Sequence, residues 1–394
     1  MHRRSATAIS FILLGAFFLT LALAGPAAAQ DGEPSKSRKS SKSGSSKSTK
    51  DASPGRDKVE MSDIPADTAA EKKALKELGN EAFKLKRTMH YSVVYNTSDE
   101  DVRTFGLAIE QTYRSCIKYT QKLGFDAHAP KKKLIIYYFE EHGDYNGHSK
   151  KVGVGEMPQS TPGVYVPELN ISMFYNFRNQ DSFKKARQDA EAKIDQLKGR
   201  LKQGNLTPQE RRQINQEIKN ARSHANWSTT IGGDVSESIV QHEVAHQVLW
   251  NIGFHNPKVF IANPRWFAEG TAMMFEPIST GTSANFGALN SDRLKEYQAL
   301  EQAKGLVPVK EFISHAGWFG PATIGQAYAQ SWALVHYLNR AKRNQVKAYV
   351  EIINKRPKTY KSTPEQEIKD FETAFGKLDR KWEDAWKSWM KRVR

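Results

Sequence analysis

Apolar positions along the chain switch between no period and a clear one, and the switches divide it. After the basic residues His2, Arg3 and Arg4, Ala8 to Ala24 form an apolar run that closes on Ala27-Ala28-Ala29. Charge, apolar centre and small residues in that order predict an export signal over 1–29. Residues 31–58 are Ser- and Lys-rich with nothing sizeable to bury, which predicts a disordered tether over 30–61. Periodicity begins after that and sustains one domain over 62–394.

Within the domain, 67–87 reads as an amphipathic helix and His90 to Tyr95 alternates as a strand. Asp99 to Leu123 carries helical spacing. Lys133 to Phe139 (KLIIYYF) is a buried strand, and Gly163 to Val166 with Ile171 to Tyr175 forms a hairpin. In 179–222, Phe183, Ala186, Ala190, Ile194, Leu197 and Leu201 step by threes and fours. Ile214, Ile218 and Ala221 do so again after a turn at Gly204 to Pro208. Thr207 and Glu210 make a capping box with Pro208 at the first helical position. The pattern predicts an inserted helical hairpin, either a strut or a lid and docking arm. A separate helix follows, with Asp234 to Glu237 as its capping box and Gly253 as its stop. Residues 270–394 read as a helical C-terminal lobe. It contains a buried element at Tyr328 to Leu338 and a packed end at Trp382, Trp386 and Trp389. The fold class is α+β: a small twisted sheet against one central helix, with helices after it.

That central helix carries the chemistry. His242-Glu243-Val244-Ala245-His246 is an H-E-x-x-H motif, and Val235, Ile239, His242, His246 and Leu249 share one face. Histidines at i and i+4 lie about one turn apart, so two imidazoles can meet on one metal ion. Glu243 points aside and is free to accept a proton from water. Catalytic zinc takes three protein ligands, and His₂Glu is a known set. Glu269, in Asn263-Pro264-Arg265-Trp266-Phe267-Ala268-Glu269-Gly270-Thr271-Ala272, is the candidate third ligand: a carboxylate in an aromatic, small-residue run needs a partner. The longer motif with a third histidine fails, since Leu249 and Ile252 occupy its glycine and histidine positions. His255, beyond the helix stop, is a weaker candidate.

The segments QHEVAHQVLW and RWFAEGTAMMFE resemble the zincin superfamily, and within it the glutamate-ligand branch, the gluzincins. Tyr328 to Leu338 (YAQSWALVHYL) is similar to a helix of secreted bacterial gluzincin-like domains of unknown function, related to the peptidase MA-like group. The resemblance implies a zincin-like fold, one Zn²⁺ on His242, His246 and Glu269, Glu243 as general base and Tyr328 as oxyanion donor, with His336 its rival. It implies peptide or protein substrates. Many gluzincins have an aspartate four residues after the third ligand, supporting a zinc-bound histidine; here Met273 stands there. Asp234, Glu237 and Glu276 are the candidates for that support. Two other classes stay open: a zincin fold that has lost chemistry and serves as a binding module, and a structural protein of the envelope.

Composition changes the picture modestly. The net charge of +16 favours anionic partners such as envelope polymers, with a basic run at Lys131-Lys132-Lys133. No nucleic-acid motif accompanies it. Cys116 is the only cysteine, so no intrachain disulfide forms, and it reads as a small packed residue. No later stretch is long and apolar enough to span a bilayer, so the expected location is secreted, periplasmic or cell-envelope.

Overall fold

The computed structural model describes residues 62–79, 81–277 and 288–394. The export signal and tether expected over 1–61 lie outside the described residues. The fold is mixed α and β. Five strands, β1 (Lys84–Arg87), β2 (Tyr91–Tyr95), β3 (Leu134–Phe139), β4 (Gly163–Val166) and β5 (Ile171–Tyr175), form one sheet in the order β1-β2-β3-β5-β4. The pairs β2/β3 and β3/β5 are parallel, and the two outer pairs are antiparallel. The β4–β5 hairpin is as expected, and β4 ends the sheet.

Both faces of the sheet are covered, so the central strands are apolar without alternation. Val93, Ile136, Tyr138 and Phe174 face one core, shared with helix α2 (Asp99–Lys122), where Cys116 is fully buried. Val94, Ile135, Tyr137 and Met173 face the other, where α1 (Thr68–Leu78) contributes Ala74 and α3 (His142–Lys151) contributes Tyr145. The helix expected over 67–87 is shorter. Asp67 caps its start, Gly79 at φ 64° ends it, and 84–87 become the edge strand β1. That strand reads KLKR, and charge protects an exposed edge.

α4 (Asp181–Lys202) and α5 (Pro208–Asn251) pair as the expected hairpin around Ile194, Leu197, Ile214 and Ile218. The capping box of Thr207 with Glu210 is present. The second one, at Asp234 to Glu237, is not: these residues lie inside α5, which runs 44 residues without a break. Hairpin arm and motif helix are therefore one helix. No proline interrupts it, and at Gly233 a β-carbon would press on the Arg178 guanidinium at 3.1 Å, so that glycine makes room for a side chain and not for a turn. Arg178 also pairs with Asp101 of α2 at 3.4 Å. α5 stops where expected, with Gly253 at φ 82°.

The rest is helical: α6 (Arg265–Ala272), α7 (Ser291–Gln302), α8 (Val309–Ser314), α9 (Ile324–Ala341), α10 (Arg343–Lys355), α11 (Pro364–Phe375) and α12 (Arg380–Met390). Their apolar faces join the α2 side of the sheet in one continuous core, with Trp332 and Trp386 fully buried. Among the described residues, no helix is long and apolar enough to cross a membrane.

Candidate metal centre

The last turns of α5, from Ile239 to Leu249, are buried on every side. His242 and His246 face α6, which returns Glu269 to them. The two Nε2 atoms are 3.1 Å apart, and Glu269 Oε2 lies 3.2 Å from one and 3.4 Å from the other. All three ligand atoms fall within 4.8 Å of one another, and no other such cluster of His, Cys, Asp or Glu occurs among the described residues. The set can hold a metal ion.

The protonation pattern fits that use. Glu276 Oε1 accepts a hydrogen bond from His242 Nδ1 at 2.9 Å, which turns the Nε2 lone pair toward the cluster. Two imidazole nitrogens and a carboxylate converge there. Burial alone would lower the His242 pKa, but Glu269 and Glu276 outweigh it and push it up to about 10.

Glu276 is the support left open by Met273. It lies beyond the end of α6, in the turn that follows. Arg293 of α7 grips it with two hydrogen bonds of 2.9 Å, and Asn290 donates a third at 2.8 Å. Burial would raise the Glu276 pKa; Arg293 and then His242 hold it down to about 2. Of the other two candidates, Glu237 accepts from Gln241 at 3.2 Å, and the Asp234 side chain is outside the described residues.

Glu243 is outside the ligand set and reaches the edge strand β4. Its Oε2 accepts the Tyr165 backbone N–H of β4 at 2.8 Å. Burial pushes its carboxyl up, partly offset by His242 and His246. Tyr328 of α9 lies beside the cluster, its ring 6.4 Å from the His242 ring and under the Arg293 guanidinium at 5.6 Å. Burial, then the nearby Glu269, pushes its hydroxyl pKa well up, so it remains a donor at neutral pH.

α9 reaches this position because Gly270 has no side chain. A β-carbon there would sit 2.5 Å from Val335 and 2.6 Å from the Ser331 carbonyl. Backbone meets backbone directly behind Glu269. Arg265, one turn before Glu269, lies over the Phe319 ring at 4.8 Å with its Nε 3.9 Å from Glu269 Oε1.

Two histidines weighed from sequence fall outside the cluster. His336 stacks on Trp332 and leans on Trp389; burial pushes its pKa down to about 4. It is a packed residue, and Tyr328 takes the place beside His242. His255 is buried against Phe254 and Phe267, and burial pushes it down to about 3. Sequence reasoning did not find Arg293, Asn290, Gly270 or the Tyr165 N–H. Only Gly270 left a usable signal, a glycine adjoining a buried acid.

Residues 236–359 match the model of a family described as a protein of unknown function (DUF1570). The matched segment contains every side chain of the site described above. No curated protein and no solved structure matches the chain.

Proposed function

We propose that the protein is a zinc metallopeptidase of zincin-like, gluzincin type, exported and acting on peptide bonds in the secreted or envelope space. One observation carries the reading. His242, His246 and Glu269 aim their ligand atoms at one buried point, while Glu243, between the histidines in sequence, is held out of that set. The donor set of two imidazoles and one carboxylate suits zinc and leaves a coordination position open. When bound, zinc would polarise the scissile carbonyl and acidify the attacking water to a pKa of about 7.

The remaining steps belong to the chain. Glu243 accepts the proton of the attacking water and passes it to the leaving amine. Its raised pKa brings it nearer the working pH, where a general base is most effective. The Tyr165 N–H orients the carboxylate by occupying Oε2. Glu276, clamped by Arg293, fixes the His242 tautomer so that Nε2 faces inward. Tyr328, protonated and partly desolvated, donates a hydrogen bond to the oxyanion that develops on the carbonyl.

Metal analysis of the purified chain should give one zinc, lost in both His242→Ala and Glu269→Ala. Glu243→Gln should keep zinc and lose turnover of a peptide library by about 10²–10⁴-fold, the usual worth of a general base. Tyr328→Phe should keep zinc and fold and lower kcat by about 10²–10³-fold, the worth of one oxyanion donor. Full zinc with no cleavage of any peptide by the wild type would mark a binding module instead. Wild-type cleavage by Glu243→Gln would end the peptidase reading.

A further inference from the structure

A cavity lies beside α1, away from the metal cluster and independent of the metal reading. It measures about 820 Å³ and sits between α1, the starts of β3 and β5, and the end of α5. That is within the roughly 300–1,000 Å³ range of small-ligand sites. Its floor and its rim differ in chemistry. Buried Ile135 and Tyr137 make an apolar floor with half-buried Ala70 and Ile171, and Leu169, 46% exposed, lines the mouth. Lys73, Lys131, Lys132 and Lys151 stand around it.

The polar groups nearby are mostly committed. β3 lies between β2 and β5, so its main chain is paired on both sides. Asn170 and Asn251 bond each other at 2.7 and 2.9 Å. Asp67 caps α1, and Glu77 pairs with Lys73 at 3.7 Å and accepts from Tyr137. Lys133, expected as part of a surface basic run, is instead buried; it bonds Asp63 and the Thr88 and Met89 carbonyls. Lys131 and Lys132 are exposed and have no carboxylate partner among the described residues.

A ligand here gains apolar contact below and positive charge above, and the β3 main chain beneath it is already paired. An extended peptide would leave its own amides unsatisfied against this floor, which disfavours it. We propose that the cavity binds a single-chain lipid anion, its acyl chain on the Ile135–Tyr137–Ile171 floor and its acidic head at Lys131 and Lys132. The charge of the rim and the closed hydrogen-bonding of the floor select that chemistry together.

Calorimetry on the full-length chain tests it, with dodecanoate below its micelle concentration as the probe. Saturable binding of one dodecanoate per chain is expected, weakening as salt is raised. Inorganic phosphate should bind at least about a hundredfold more weakly, having no apolar part. The double variant Lys131→Glu/Lys132→Glu should lose about tenfold or more in affinity through its reversed rim charge, with melting temperature and zinc content unchanged. Ala70→Trp should block binding by filling the floor. Equal binding of dodecyltrimethylammonium, unchanged affinity in the double variant, or tighter binding of an acidic leucine-containing peptide would each overturn the proposal. None of these readouts depends on peptidase activity, so its failure and that of the peptidase reading are separable.

Discussion

The first turns of α5 bury a single stripe, Ile214, Ile218 and Ala221, against α4, while the residues around them are largely exposed. The last turns are buried all round, and the polar side chains there are engaged: His242 and His246 face Glu269, Gln247 bonds Ser172 at 3.0 Å, Gln241 donates to Glu237, and Glu243 holds a backbone N–H. One hydrogen-bonded ladder thus passes through two environments. The outer part has a small satellite core of its own; the inner part is tied to the main core and to a network of buried charge. Helix continuity does not imply shared stability.

The sharpest break of that contrast is at the charged network. Arg293→Met leaves Glu276 buried without its cation, and losing one partner of a buried pair costs about 3–5 kcal/mol. The whole domain should melt earlier. In zinc-free wild type, Glu276 titrates at about 2 in the folded state, below its ordinary value of about 4.3. Its contribution is therefore complete above about pH 4.3 and fades as the pH falls toward about 2. In Arg293→Met the acid limb of a melting-temperature profile should move to higher pH.

A smaller test sets two aliphatic truncations on the same helix against each other. Leu249→Ala, in the fully buried half, should cost about 2–5 kcal/mol and lower the global melting temperature. Ile214→Ala should speed amide exchange in α4 and the start of α5 while leaving zinc content and global melting nearly as before. Equal falls in melting temperature would show that arm and site unfold together. The smallest effect is at the cap: Thr207→Ala removes the side-chain bond to Glu210 N–H, worth about 1 kcal/mol. It should appear only as fraying of the first turn in exchange measurements.

The same contrast explains what the sequence disclosed. His242, His246 and Glu269 were legible because ligands one turn apart on an apolar face, and an acid in an apolar run, are short-range signals. The hairpin was legible from its own period and from the Thr207 box. The continuity of α5 was not, because Asp234 to Glu237 mimics a start and Gly233 mimics a break, and only the Arg178 side chain across the gap explains the glycine. Glu276 stood among three carboxylates with nothing local to choose it. Its selection depends on the turn after α6 and on Arg293, an element away. The Tyr165 contribution is a main-chain N–H, which any residue but proline would supply, so residue identity carries no trace of it. The overlong helix over 67–87 has a similar cause: Lys84 to Arg87 is polar enough for either state, and pairing with β2 decided it.

The uninterrupted course of α5 has a consequence for how this protein can vary in length. Each residue of an α-helix advances the phase by about 100°. One residue added between the arm and Ile239 would leave the ligands in register with Glu269. It would also swing the Ile214–Ile218 stripe about a quarter turn away from α4. Seven added residues, nearly two full turns, restore the facing and lengthen the arm by about 10 Å, provided α4 grows to match. Insertions tolerated in this arm are therefore quantised in whole turns and must occur in pairs, one in each of its two helices.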